Sequence, residues 1–410
     1  MQYKIFGCKT NKYFTDQWAE SPFLSDKKGV FVSSCIVTDK AKSKWIRFVK
    51  QQLKVLREGE KIYLSGCGAL RNGGVDADFY TVYPEFIQFQ DKIELLAESP
   101  PSPPAPLPEG EGRSILHTKK FVVIQTGCDN FCTFCLTVQA RGRHTSRDME
   151  DIISEIQDFV AHGGKEVVLT GTNIGAWGAD NTNYTESSRA AELIENILKK
   201  TTIQRLRISS LGVEYIDDRL LRLIKEPRVN PYIHLSVQSG SEAILRSMNR
   251  HYTRAQLLSV LEKISSIQRT DKIPINIGAD IIVGFPGETE SDFEDTVEIV
   301  REYITQLHAF PFSPHREHYS VPAGAFPDQI REGIKSARLK TLLSLGEQKK
   351  QSFLQMNDGK KFEVLIEGKG VGWTPNYIEC TASNFEPLLG QEMKKGMVVE
   401  GIFILGGGRN

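Results

Sequence analysis

The sequence predicts a multidomain α/β protein with a small N-terminal α/β domain, a partial (β/α)6 barrel and a small C-terminal β-barrel. Three observations predict it. Strand-like and helix-like stretches alternate over most of the chain, and a proline-rich run at 98–114 interrupts them. Beyond Lys360 the pattern becomes short β-rich runs broken by glycine. A chain of 410 residues is also too long for one hydrophobic core, so two or three domains are expected.

In residues 1–97, Tyr3 to Phe6, Val30 to Ser33 and Lys61 to Leu64 read as strands. Lys40 to Arg57 reads as a helix, because Trp45, Phe48, Val49, Leu53 and Leu56 recur on one face. The alternation predicts a small parallel sheet of Rossmann-like character. Cys8, Cys35 and Cys67 each follow the C-terminal end of one strand. In an open parallel sheet those ends share an edge where ligands bind, so the three thiols are expected to converge.

Residues 98–114 hold so many prolines that they lack the amide donors and the free φ that helix or sheet requires. They read as a semi-rigid linker. The segment 115–354 then offers six strands: Phe121 to Ile124, Glu166 to Leu169, Arg205 to Ile208, Ile233 to Val237, Ile275 to Val283 and Gln306 to Phe310. Helical patterns separate them at Asp148 to Val160, Ala190 to Lys199, Thr253 to Ser265 and Ser291 to Tyr303. An open relative of the eight-stranded barrel follows, with its reactive face at the strand C-termini. A last long helix, about Gln329 to Phe353, leads into residues 355–410. There Phe362 to Ile366, Tyr377 to Cys380 and Met397 to Phe403 read as strands of a small β-barrel, a type often used for RNA binding.

The formal net charge is +0, so no global basic field draws in a nucleic acid and any such surface must be local. Two local candidates are present. One is the helix face bearing Lys40, Lys42, Lys44, Arg47, Lys50, Lys54 and Arg57; the other is the group Arg141, Arg143, His144 and Arg147. Each is read against the plainer alternative of a solvated face or of arginines paired with local carboxylates. The N-terminus lacks a signal-peptide pattern and no long apolar run occurs, from which a cytoplasmic protein without membrane partners is expected. Seven cysteines in a reducing compartment then point to metal or catalysis rather than to disulfides.

Cys128, Cys132 and Cys135 are spaced C-x3-C-x2-C directly after the strand Phe121 to Ile124. Three thiolates on one short loop can hold three irons of a four-iron cluster, leaving the fourth iron open to an exogenous molecule. The competing reading is a structural zinc site, but zinc takes four ligands and no fourth cysteine or histidine stands at normal spacing. Cys8, Cys35 and Cys67 form a second, dispersed trio. Cys380 is isolated and reads as a small buried apolar residue.

The run Cys128 to Cys135 resembles the cluster loop of radical S-adenosylmethionine (SAM) enzymes, and the whole chain resembles a methylthiotransferase. The matching motifs come in order. They are Gly7-Cys8-Lys9-Thr10-Asn11, Ser34-Cys35-Ile36-Val37-Thr38, Gly66-Cys67, Arg141-Gly142-Arg143, Leu235 to Ser241, Gly284 to Thr289 and, in a TRAM-like tail, Gly372 to Tyr377. Gly7-Cys8-Lys9-x-Asn11-x-Tyr13 together with Thr170 to Gly175 is most similar to the branch acting on threonylcarbamoyladenosine in tRNA. Two segments differ from the family pattern, Phe312 to Ser320 and Val138-Gln139-Ala140.

The resemblance implies two [4Fe-4S] clusters and SAM as cofactors. Cys128, Cys132 and Cys135 would hold the cluster that cleaves SAM, and Cys8, Cys35 and Cys67 an auxiliary cluster tied to sulfur insertion. Phe134 would lie near the adenine of SAM. Gly171, Thr172 and Asn173 would meet its methionine amino group, where glycine permits close backbone approach. Arg141 and Ser209 are candidates for carboxylate and ribose contacts, and Gln238 is a further cofactor contact. The partners implied are a tRNA anticodon stem-loop, an electron donor such as flavodoxin or ferredoxin, and a sulfur donor. The product would be a 2-methylthio adenosine next to the anticodon, a base recognised splayed from its neighbours. Alternatives are methylthiolation of isopentenyladenosine tRNA or of a ribosomal protein aspartate, or a noncatalytic iron-sulfur RNA-binding module.

Overall fold

The computed structural model describes residues 1–100, 118–179, 188–315, 320–368, 370–388 and 391–406. The expected linker at 98–114 lies outside the described residues from 101 onward, as do residues 316–319 of the divergent segment. The chain divides into two compact units. Unit one combines residues 1–112, 125–145 and 313–326; unit two combines 113–124, 146–312 and 327–410. The cysteine loop, which in sequence order sits in the segment 115–354, therefore groups with the N-terminal residues.

Unit one is built on four parallel strands, β1 (Gln2–Ile5), β2 (Gly29–Ser34), β3 (Lys61–Gly66) and β4 (Ile93–Leu95), hydrogen-bonded in that order. Side chains alternate across a strand, and here both faces are apolar. Val30, Val32, Ile62 and Leu64 pack with Trp45, Val49 and Leu53 of helix α2 (Asp39–Leu53). Phe31 and Tyr63 point the other way and pack with Trp18 of helix α1 (Lys9–Glu20). The helix expected from Lys40 is α2, begun one residue earlier because the Thr38 side chain accepts the Ala41 N–H at 3.1 Å. The sequence reading missed β4. Its three residues carry Glu94 between two apolar neighbours, too short a run to register as an alternation.

Unit two contains all six strands expected of the central segment. In the first sheet β6 (Glu166–Gly171) lies between β5 (Lys119–Thr126) and β7 (Arg205–Ile208). In the second, β9 (Asn276–Val283) lies between and parallel to β8 (Tyr232–Gln238) and β10 (Gln306–Pro311). A parallel bridge between Leu211 and Leu235 links the chain after β7 to β8. One set of alternating residues, including Val167, Leu169, Leu206, Ile208, Leu235, Val237, Ala279 and Ile281, is buried in a single core. The helices Met149–Ala161, Ala190–Lys200, Arg254–Ser265 and Glu290–Tyr303 supply the other half. Among the described residues, no helix is long and apolar enough to cross a membrane.

The opposite set includes polar residues, among them Glu166, Arg205, Arg207, His234 and Asp280, and it carries a buried charge cluster. Glu166 on β6 is 1% exposed and pairs with Arg205 at 2.9 Å and Arg207 at 3.1 Å, both on β7, while Asn230 donates to it at 3.0 Å. Burial would raise the Glu166 pKa, but the two guanidinium groups outweigh it and hold the carboxyl well below the usual range. The same arginines reach the C-terminal sheet. Arg205 donates to the carbonyls of Glu363 and Trp373, and Arg207 to that of Pro375. Arg207 also lies over the Tyr377 ring, which stacks between Trp373 and Tyr232.

That sheet comprises β11 (Lys361–Gly368), β12 (Val371–Trp373), β13 (Glu379–Cys380), β14 (Phe385–Pro387) and β15 (Val398–Phe403), in the antiparallel order 13-12-11-15-14. Cys380 is fully buried in its core, and burial pushes its thiol up to about 12.

Glu166→Gln would leave two buried arginines without a countercharge. Unit two should lose about 3–5 kcal/mol, measured as a lowered urea midpoint. Because the native Glu166 pKa is depressed, its contribution is fully present above the ordinary glutamate value of about 4.3 and is lost as pH falls below it. The wild-type protein should therefore destabilise more steeply with acid below about pH 4.3 than Glu166→Gln does.

Candidate functional site

The register of the four-stranded sheet of unit one sets the positions of the dispersed cysteines. Ser34 pairs with Gly66 at the C-terminal ends of β2 and β3, so Cys35 and Cys67 leave the sheet side by side. Gly7, preceding Cys8, has φ +116°, and a Cβ there would come within 2.9 Å of Cys35 Cβ and 3.1 Å of Cys35 Sγ. Only glycine lets the β1 end close onto Cys35. Cys35 and Cys67 are buried and Cys8 is exposed. Burial, reinforced by the neighbouring Cys67 and Cys8, pushes the Cys35 thiol up to about 12. The expected convergence is thus present.

The other three cysteines lie on the loop that follows β5. Gly127 has φ +68°, and a Cβ there would collide with the Arg143 carbonyl oxygen. Cys128 N–H donates to the Gly142 carbonyl at 3.1 Å, which closes the loop onto the chain that returns from it. Two backbone donors point at sulfur: Asn130 N–H at Cys128 Sγ (3.5 Å) and Thr137 N–H at Cys135 Sγ (3.3 Å). The segment 313–326 adds a backbone contact to the loop, with Ala323 N–H donating to the Thr133 carbonyl at 2.9 Å. Phe134 is half-buried on this loop. None of the seven cysteines forms a disulfide.

The basic group after the loop divides by environment. Arg141 ends the short helix α3 (Thr137–Arg141) and is 4% exposed, with Nε 3.2 Å from Cys67 Sγ and Nη2 donating to Asn11 Oδ1 at 2.8 Å. Its Nη1 pairs with Glu98, whose other oxygen accepts the Thr126 hydroxyl at 2.9 Å. Arg143 is exposed over the Phe131 ring and paired with buried Asp129 at 3.0 Å. His144 sits 3.0 Å from Gln125, its pKa lowered by burial. Arg147, in unit two, binds Glu155 at 2.8 Å. On α2, Lys42 folds back onto Asp39 at 3.0 Å, whereas Lys40, Lys44, Arg47 and Lys50 are exposed along the helix; Lys54 and Arg57, expected on it, are exposed beyond its end at Leu53.

The remaining expected cofactor contacts belong to unit two. Gly171 and Thr172 are half-buried at the end of β6, and Asn173 beside them donates to the Tyr215 hydroxyl at 3.0 Å. Ser209 follows β7, and its N–H donates to the Leu169 carbonyl at 3.1 Å. Gln238 ends β8 with φ +66°, a left-handed conformation that a non-glycine residue adopts only under local constraint. All five residues stand at strand C-termini.

A model of the radical SAM superfamily matches residues 122–300. The threonylcarbamoyladenosine tRNA methylthiotransferase MtaB of Rickettsia prowazekii is 30% identical over 96% of this chain and 93% of its own length. The protein of the same name from Thermotoga maritima is 31% identical over 92% and 89%. The chain belongs to the radical SAM methylthiotransferase family. The tRNA-2-methylthio-N(6)-dimethylallyladenosine synthase of Maricaulis maris is also similar, at 29% over 90% of this chain and 86% of its own.

In this methylthiotransferase, two of the motifs that carry the resemblance are held by interactions of their own. Gly240 N–H donates to Thr296 Oγ1 at 2.9 Å, and Gly284 N–H donates to Glu288 Oε2 at 2.7 Å. Glu288 is in turn buried against Arg338 at 2.6 Å. Sequence reasoning missed a further polar group on β8, β9 and β10. His234 Nε2 lies 3.0 Å and His308 Nδ1 3.4 Å from Asp280 Oδ1. Burial would raise Asp280, but the two imidazoles hold it below its ordinary value. Histidines two strands apart give no local sequence signal. Only their shared polar parity in strands of known register could have revealed them.

Gly127→Ala should destabilise unit one by more than Gly59→Ala. Gly59 also has positive φ but no atom within 4 Å of an added Cβ, so that variant bears only the about 1–2 kcal/mol of left-handed backbone. Urea denaturation of the two variants checks the ordering, and equal midpoints would mean that the cysteine loop yields without cost.

Proposed function

We propose that this protein is a tRNA methylthiotransferase that inserts a methylthio group at C2 of threonylcarbamoyladenosine next to the anticodon. The observation that carries the reading is the match, over nine-tenths or more of the chain, to two relatives named for that modification. Dimethylallyladenosine tRNA is the second reading, on the strength of the slightly lower identity to the synthase named for it.

The donor sets support cluster binding. Cys35 and Cys67 leave adjacent strand ends side by side, and Cys128 Sγ and Cys135 Sγ each accept a backbone N–H, as ligand sulfurs of a cluster do. When bound, two [4Fe-4S] clusters and SAM would supply the electron transfer and radical chemistry.

The chain's own residues would hold and orient these groups. Cys128, Cys132 and Cys135 would ligate the cluster at which SAM is cleaved, with the Asn130 N–H directed at Cys128 Sγ and the Thr137 N–H at Cys135 Sγ. Cys8, Cys35 and Cys67 would ligate the auxiliary cluster. Gly171, Thr172 and Asn173 would meet the methionine amino group of SAM. Ser209 and Gln238 would contact the rest of the cofactor, and Phe134 would lie near its adenine. The reading takes the six strands of unit two as an open TIM-like (β/α)6 barrel, the four-stranded sheet as Rossmann-like and the C-terminal sheet as a TRAM-like barrel. Its domains are 1–97, 98–114 as linker, 115–354 and 355–410. It includes a cytoplasmic location, an electron donor such as flavodoxin or ferredoxin, and a sulfur donor.

Anaerobic incubation with SAM, a strong reductant and tRNA bearing threonylcarbamoyladenosine, followed by nucleoside mass spectrometry, should give a methylthio mass gain. Deoxyadenosine production without that gain would redirect the substrate to dimethylallyladenosine tRNA. The two trios separate in variants. Cys132→Ala should abolish SAM cleavage, whereas Cys35→Ala should keep cleavage and lose sulfur insertion. Loss of cleavage in both, with iron retained at the first trio, would refute that division.

A further inference from the structure

We propose that Arg141 is a positioning residue for the auxiliary cluster, a guanidinium that hydrogen-bonds the Cys67 ligand sulfur and raises that cluster's reduction potential. The inference rests on the reading that Cys8, Cys35 and Cys67 hold a cluster. It assigns Arg141 away from the SAM carboxylate.

Three observations carry it. All three nitrogens of the guanidinium are engaged: Nε is 3.2 Å from Cys67 Sγ, Nη2 donates to Asn11 Oδ1 at 2.8 Å, and Nη1 pairs with Glu98. Asn11 is itself part of the cysteine edge. Its Nδ2 donates to the carbonyls of Phe6, two residues before Cys8, and Ser34, next to Cys35, each at 2.8 Å. Finally, the helix that bears Arg141 is clamped to the chain beyond Cys67. Asn72 N–H donates to the Gln139 carbonyl at 2.8 Å and Gly73 N–H to that of Ala140 at 3.0 Å. A side chain so constrained on every nitrogen has no freedom left for a mobile cofactor.

The sign of the effect follows from charge. Reducing a cluster adds negative charge, and a buried cation hydrogen-bonded to a ligand sulfur stabilises the reduced form over the oxidised one. With Arg141 4% exposed, solvent does little to screen that interaction. Glu98 opposes it. As the countercharge on Nη1, it offsets part of the field that the guanidinium presents to the sulfur.

The test isolates the auxiliary cluster in the full-length chain. A Cys128→Ala, Cys132→Ala, Cys135→Ala parent is reconstituted anaerobically, assayed for iron, and titrated potentiometrically with electron paramagnetic resonance as the readout. Arg141→Met in that parent should shift the midpoint to more negative potential, and Glu98→Gln should shift it to more positive potential. Arg141→Lys, which keeps the charge but not the fork, should fall between Arg141→Met and the parent. Unchanged midpoints in Arg141→Met and Glu98→Gln at full iron content would overturn the proposal while leaving the cluster reading intact. If Arg141→Met loses its iron, the sign of the Glu98→Gln shift decides. A parent that takes up no iron would instead overturn the reading on which the proposal stands.

Discussion

Charge withdrawn from water has to be matched inside the protein, and in unit one that constraint falls on Arg141. Its guanidinium meets a cysteine sulfur from the sheet edge, an asparagine from α1 and a glutamate at the end of the N-terminal segment. Glu98 then accepts from Thr126, the last residue before the Gly127 turn into the cysteine loop. One buried cation therefore fixes both flanks of the loop against the edge that carries Cys8, Cys35 and Cys67. Removing such a charge, or its partner, exposes the other to the full penalty of burial. Two sets of cysteines separated by about sixty residues of sequence share that compact unit.

Unit two solves an equivalent problem with Glu166. The alternation of β6 and β7 turns their aliphatic residues toward the helices and leaves Glu166, Arg205 and Arg207 on the other face. The carboxylate neutralises the pair, and the spare N–H groups of the arginines end on main-chain carbonyls of the C-terminal sheet. Charged side chains here do the work of an interface. They join a parallel sheet to an antiparallel one whose own core, around Phe362, Val364 and Cys380, is too small to dominate.

Much of this architecture is legible in the sequence. The six central strands, the flanking helices and the strands of the tail follow from period and composition, which are local properties. The cysteine spacing pointed to a cluster loop because three thiols within eight residues narrow the chemistry by themselves. The strand-end rule brought the dispersed trio together because it depends only on parallel order. What stayed hidden was either too short, like β4, or non-local, like His234, Asp280 and His308. Basic residues were the least legible class. Of Arg141, Arg143, His144 and Arg147, only Arg143 presents an exposed guanidinium.

By itself, then, the sequence determined the order of elements, the two cysteine trios and the family, since each is written in patterns of neighbouring residues. Tertiary structure decided which partners those residues take. It grouped the loop at 125–145 with the N-terminal sheet, set the Arg141 guanidinium against Cys67 Sγ, and gave Glu166 two arginines from the next strand. The physical reason is common to all three. A buried charge or sulfur is stabilised by whatever opposite group the fold delivers within about 3 Å, and spacing along the chain does not encode that distance.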